Sequence, residues 1–132
     1  MRLKRSTFIL GIAIVVLFAI GNLLPRYMNS QSTSLRASTK AFDVSSVEDG
    51  VYEGKAFLLP VSVMVRASVS AGRLESIDLL KHFNGQGKPA EAIIDRVIAK
   101  QSLGVDVVTG ASYSSLTILK ALENALSKGI EQ

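Results

Sequence analysis

A chain of 132 residues with 48% hydrophobic content, no cysteine and a single histidine bounds its own chemistry. Disulfides, thiol catalysis and a histidine-rich metal site are excluded, and the length suits one domain. The net charge of +4 does not mark a nucleic-acid binder. Residues 1–48 hold six basic and two acidic groups of the 15 and 11 in the chain, which leaves nine of each sign for residues 49–132. A folded part without net charge lacks the basic face that nucleic acid requires.

The first element is apolar. From Phe8 to Leu24 the chain carries no charge and one strongly polar residue, Asn22. About 18 helical residues reach about 27 Å, close to the hydrocarbon thickness of a bilayer. The segment reads as a retained anchor rather than a cleaved signal, because "PRYMNSQ" has no small-x-small site. Arg2, Lys4 and Arg5 precede the span and only Arg26 follows closely. The positive-inside bias therefore predicts a single pass through the cell membrane, N-terminus in the cytoplasm and the rest extracytoplasmic.

Residues 1–25 are thus assigned to the anchor and 26–48 to a tether. Eight Ser or Thr between Ser30 and Ser46, with little apolar periodicity, predict a solvated linker. Only Phe42 and Val44 hint at docking. Residues 49–132 form the folded domain. "DGVYEGKAFL" predicts a strand after a turn dipeptide. In "VSVMVRASVS", Val61, Val63, Val65, Ala67 and Val69 fall on one face. "AGRL" predicts a hairpin turn, and Leu74 to Phe83 a third strand whose pattern blurs toward its end.

"NGQG" at 84–87 breaks the strand. "PAEAIIDRVIAKQ" then predicts a helix, with Pro89 in its first turn, Glu91 early, Lys100 late, and Ile93, Ile94, Val97 and Ile98 as the apolar stripe. "VDVV" at 105–108 is a short β-like run. A last helix from about Tyr113 to Lys128 repeats Leu116, Leu119, Leu122 and Leu126 on one face, with Gly129 closing it. The fold class is α+β: a small antiparallel sheet covered by two helices, preceded by one N-terminal transmembrane helix.

The chemistry concentrates in "DVVTGASYSS", Asp106 to Ser115. It sits between the β-like run and the last helix. A helix's first amides are unpaired donors at the positive end of its dipole, and small Gly110 and Ala111 leave room for an approaching group. That arrangement suits a phosphate. Spacing alone favours the plainer reading, capping by Ser112 or Ser114.

The motif resembles the flavin-attachment motif of the FMN-binding domain family, found in subunits of sodium-pumping quinone reductases and Rnf-type complexes and in flavoproteins of extracellular electron transfer. The pattern is an acid, two variable residues, Ser or Thr, then Gly-Ala-Thr or Gly-Ala-Ser; here it is Asp106, Val107, Val108, Thr109, Gly110, Ala111 and Ser112. The similarity extends over roughly Asp49 to Leu126. Threonine is the commoner acceptor, and this chain has serine.

The resemblance implies covalent FMN. A separate flavin transferase, assisted by magnesium, would move the FMN phosphoryl from FAD to Ser112 and release AMP, leaving a phosphoester-modified protein. Asp106 would orient the acceptor or metal, Thr109 bond the phosphate or fix the turn, Gly110 and Ala111 give clearance, and Ser114 and Ser115 donate to phosphate oxygens unless Ser114 caps the helix. Tyr113 and Met64 are candidate shelves for the ring, and His82 a candidate flavin contact. The implied function is a membrane-anchored electron carrier between a membrane dehydrogenase or quinol and an external acceptor. No second catalytic constellation suggests a stand-alone enzyme. Two alternatives remain: a flavin-free surface binding module, and a small serine hydrolase, against which "GASYS" lacks the second glycine of a nucleophile elbow.

Overall fold

A computed structural model of the chain describes residues 2–83 and 88–130, with side chains from Ser6 onward. The expected turn at 84–87 lies outside the described residues. The first helix, α1, is assigned to Arg2–Ala41. The chain divides into two units, Met1–Ser34 and Leu35–Gln132.

Among the described residues, one helix is long and apolar enough to cross a membrane, and a signal sequence has the same character. Its apolar side chains are exposed, Phe8, Val15 and Phe18 among them. Asn22 turns its amide back onto the Phe18 carbonyl at 2.7 Å, which satisfies the polar group inside the apolar run.

The Ser/Thr-rich segment is helical rather than an irregular linker. Its hydroxyls bond carbonyls one turn back: Ser32 and Thr33 to Asn29 O at 2.9 and 3.0 Å, and Ser34 to Gln31 O at 3.0 Å. This local bonding lets a hydroxyl-rich sequence with weak propensity stay in a helix. The second unit begins at Leu35, earlier than the expected start at 49. Within it Thr39 is buried. Ser38 Oγ donates to Glu123 Oε2 at 3.0 Å. After Ala41, Asp43 caps a 3-10 turn, Val44–Ser46, and the buried Val44 and half-buried Phe42 join the core.

Three strands follow: β1 Gly50–Leu58, β2 Val61–Ser70 and β3 Arg73–Phe83, paired antiparallel in the order β1-β2-β3. The expected face of β2 is buried from Val61 through Val69. Strand β3 reads less cleanly because its register against β2 shifts twice, between Ser76 and Leu74 and between Lys81 and Leu79. Each shift leaves one extra residue, Glu75 or Leu80, and flips the alternation. Leu74, Ile77 and Leu79 therefore all face inward although they are not evenly spaced.

A 3-10 turn, Lys88–Ala92, opens the next helical region, and α2 proper is Ile93–Lys100, packed against β3. Gln101 adopts φ +53 at its C-terminus. Its side-chain amide accepts from Leu74 N–H at 2.8 Å and donates to Leu74 O at 2.9 Å, tying α2 to β3. The run 105–108 forms no strand.

Helix α3, Ser112–Leu126, lies across the inner face of β1 and β2. It is more deeply enclosed than a one-faced helix: Ser115, Thr117, Ile118 and Ala121 are buried along with the leucine stripe. It contacts the 3-10 turn at 88–92 as well as the sheet. Gly54 permits the close approach, since a Cβ there would overlap the Ala121 carbonyl and stand 2.5 Å from Ala125 N. Gly129 does not end α3 as a left-handed cap. A further 3-10 turn, Ser127–Gly129, follows, and Gly129 makes room for the Tyr52 ring, 2.6 Å from where its Cβ would stand.

Candidate functional site

The candidate site is a tight turn feeding the start of α3. Ala111 N–H donates to Val108 O at 3.0 Å, closing a turn over Thr109 and Gly110. Gly110 has φ +79, the value that the third position of a type II turn needs. No atom lies within 4 Å of where its Cβ would be. Glycine is thus required here for its conformation, and the space beside it is open.

Ala111 occupies the N-cap position, and its methyl side chain makes no capping hydrogen bond. Ser112 makes no capping bond among the described residues. Ser112 is the first helical residue, half-buried, and its hydroxyl has no hydrogen-bond partner among the described residues. Ser115 N–H makes the first intrahelical bond, to Ala111 O at 2.9 Å.

Ser115 has a different role from the one the motif implies. It is fully buried, accepts from Val108 N–H at 3.1 Å and donates to Ala111 O at 2.8 Å. Its donor is spent on the turn, so it does not point a proton at an incoming phosphate. Ser114 is also buried, and Tyr113 is half-buried against the core. Thr109 is exposed on the turn.

Asp106 has an exposed carboxylate with no hydrogen-bond partner among the described residues. Its carbonyl is held by Arg96 Nη1 at 2.9 Å, and the same atom reaches Val107 O at 3.4 Å. Arg96 escaped the sequence reading because its contact spans ten residues and follows no motif. Asp106 also borders a cavity of about 400 Å³ shared with Arg36, Lys40 and Lys100.

His82, the last but one residue of β3, lies on the inner face, with its side chain 5% exposed. Its Nδ1 stands 3.2 Å from Glu91 Oε1, and the 3-10 turn that carries Glu91 packs on α3. Met64 lies on the outer face of the sheet, away from α3, so it offers no shelf beside Ser112.

The geometry defines a small α+β domain in which an open turn leads into a helix start, a place suited to a phosphate group beside the Ser112 hydroxyl. The chain belongs to the FMN-binding domain family, whose profile matches residues 58–127, just over half its length. It is 28% identical over 96 residues to an uncharacterized protein of Treponema pallidum (strain Nichols), covering 70% of this chain and 27% of that one. It is 28% identical over 127 residues to a urocanate reductase of Eggerthella lenta, covering 94% of this chain and 20% of the relative. The chain thus spans roughly a quarter or less of these curated relatives. No solved structure matches it.

FMN fits the residues present. The Ser112 hydroxyl has no partner among the described residues, the N-cap residue Ala111 offers no side-chain cap, and the Gly110 side of the turn is open.

Proposed function

We propose that this chain is a membrane-anchored, extracytoplasmic flavoprotein domain that carries FMN on Ser112 and relays electrons from a membrane dehydrogenase or quinol to an acceptor outside. The observation that carries this reading is the position of Ser112. Its hydroxyl, on the first residue of α3, has no hydrogen-bond partner among the described residues and stands beside the open Gly110 turn of a flavin-family domain.

Attachment is a phosphoryl transfer. Ser112 Oγ forms a bond to the phosphorus of the FMN half of FAD, the bond from that phosphorus to AMP breaks, and the hydroxyl proton leaves to a base of the flavin transferase. The helix start favours the singly charged phosphodiester by its dipole and amides. Asp106, whose exposed carboxylate has no partner among the described residues, would meet the transferase or its magnesium. Bound FMN supplies one- and two-electron redox chemistry. The likeness to part of a urocanate reductase supports a redox role. The basic residues before the apolar helix support the outward orientation.

The test is to produce the full chain with and without a flavin transferase, denature it, and look for flavin fluorescence in the gel. Fluorescence that requires the transferase, maps to the peptide holding Ser112 and disappears in Ser112→Ala is expected. Retained covalent flavin in Ser112→Ala would refute the attachment site. A colourless wild type whose Ser112→Thr variant becomes yellow would mean that the transferase rejects serine.

A further inference from the structure

The outer face of the sheet carries two ordered rows at one end. Across the three strands, Phe57 pairs with Ser62 and Ser62 with Phe83; in the next row, Lys55 pairs with Met64 and Met64 with Lys81. Two phenylalanines thus flank a serine, and two lysines flank a methionine. Phe57 is 66% exposed and Phe83 78%. Lys55 and Lys81 have no ion-pair partner among the described residues. Exposed apolar side chains scattered singly need no explanation, whereas an aligned pair beside two unneutralised cations does.

The β3 register shift at Leu80 builds this pattern. Without the extra residue, Lys81 and Phe83 would fall on the buried face and His82 on the outer one. Shifts of this kind re-aim side chains. Here one places Phe83 opposite Phe57 while turning His82 inward.

We infer that this slot binds a planar aromatic anion, the class that includes sulfonated and carboxylated quinones. With strands about 4.8 Å apart, Phe57 and Phe83 stand about 10 Å apart at Cα. A flat ring held at van der Waals distance from both needs about 7 Å between them, which a modest inward lean supplies. Ser62 gives a small floor. The lysine row lies about 7 Å along the strands, within reach of anionic substituents at the ring's edge.

The slot and Ser112 lie toward the same end of the sheet. Helix α3 runs antiparallel to β1, with Lys128 Nζ on Glu53 O and Asn124 Nδ2 on Lys55 O at 2.8 Å. Its N-terminus therefore extends past Phe57 on the opposite face. The ligand's role as the external electron acceptor rests on the function proposed above; its binding does not.

The test uses the full chain in nanodiscs, made without a flavin transferase, so that it is independent of flavin attachment. Anthraquinone disulfonate is titrated and followed by calorimetry and by the amide shifts of Ser62 and Met64. Saturable one-to-one binding is expected, weakened about tenfold by Phe57→Ala or Phe83→Ala, as for loss of one stacking platform. Phe57→Leu, which keeps apolar area but no flat face, should weaken it similarly, and Lys55→Gln with Lys81→Gln should also do so and flatten its salt dependence. Val51→Ala, at the far end of the same face, should leave it unchanged. No saturable binding, equal binding of benzene disulfonate, or full binding in the Phe57→Ala, Phe83→Ala double variant would each overturn the assignment. In-gel flavin of the Phe57→Ala chain made with the transferase reports separately on Ser112.

Discussion

Val108 donates its backbone N–H to Ser115 Oγ at 3.1 Å, and that hydroxyl donates onward to Ala111 O at 2.8 Å. One buried side chain thereby closes the turn from inside. The four residues it bridges include Thr109 and Gly110, which are exposed, so the outside of the turn is free while its ends are fixed.

Ser115→Ala should therefore act through stability and positioning together. It strips a buried acceptor and donor, at a cost of about 1–3 kcal/mol. A lower denaturant midpoint is the expected reading, along with slower flavin attachment at Ser112. An unchanged midpoint would mean that the hydroxyl does not hold the turn.

Glycine substitutions should separate conformation from crowding. At Gly110 the strain is φ +79 with nothing nearby, so Gly110→Ala should cost about 1 kcal/mol and Gly110→Asn less. At Gly54 the obstacle is helix backbone, which cannot yield without moving α3 off β1. Gly54→Ala should cost about 3 kcal/mol or more. Thermal melts of the two variants would reverse this order only if α3 were loosely seated.

The parts of the fold that were legible in the sequence are those where local pattern and long-range pairing agree. Strand β2 alternates without interruption from Val61 to Val69, and its inner face is buried as the alternation implies. Strand β3 does not, because the two register shifts are set by its partner rather than by its own residues. "VDVV" has β-like side chains but pairs with no strand; Arg96 and Ser115 hold its backbone instead. Ser112 and Ser115 are the same residue three positions apart, and only the fold distinguishes an open hydroxyl from a buried strut. The hydroxyl-rich segment after Pro25 looked like solvated linker because hydroxyls usually compete with helical bonding, whereas here they bond within the helix.

Acid should loosen the entry to the domain before its core. The Ser45 hydroxyl, then the Ser45 amide, hold the Asp43 carboxyl below its usual value, against a small opposing effect of burial. A depressed folded value means that the stabilisation is present above the unfolded value of 3.8 and lost as pH falls through the folded one. The Ser45 amide resonance should move in that acidic window and not near neutrality. Asp43→Asn, which keeps the acceptor without the charge, should abolish the movement.

Arg96 offers the sharpest separation of positioning from folding. It is exposed, and its guanidinium reaches the carbonyls of Asp106 and Val107 rather than any side chain. Arg96→Met keeps much of the aliphatic stem and removes both bonds. Because the group is solvated, the loss of stability should be about 1 kcal/mol or less. The backbone that presents Asp106 would nonetheless lose its anchor to α2. Flavin transfer to Ser112 should slow several-fold at low transferase concentration, with the final extent of labelling unchanged. Arg96→Lys, with one ammonium in place of a planar fork, should recover only part of the rate. Wild-type labelling kinetics in Arg96→Met would show that the turn closed by Ser115 positions the motif unaided.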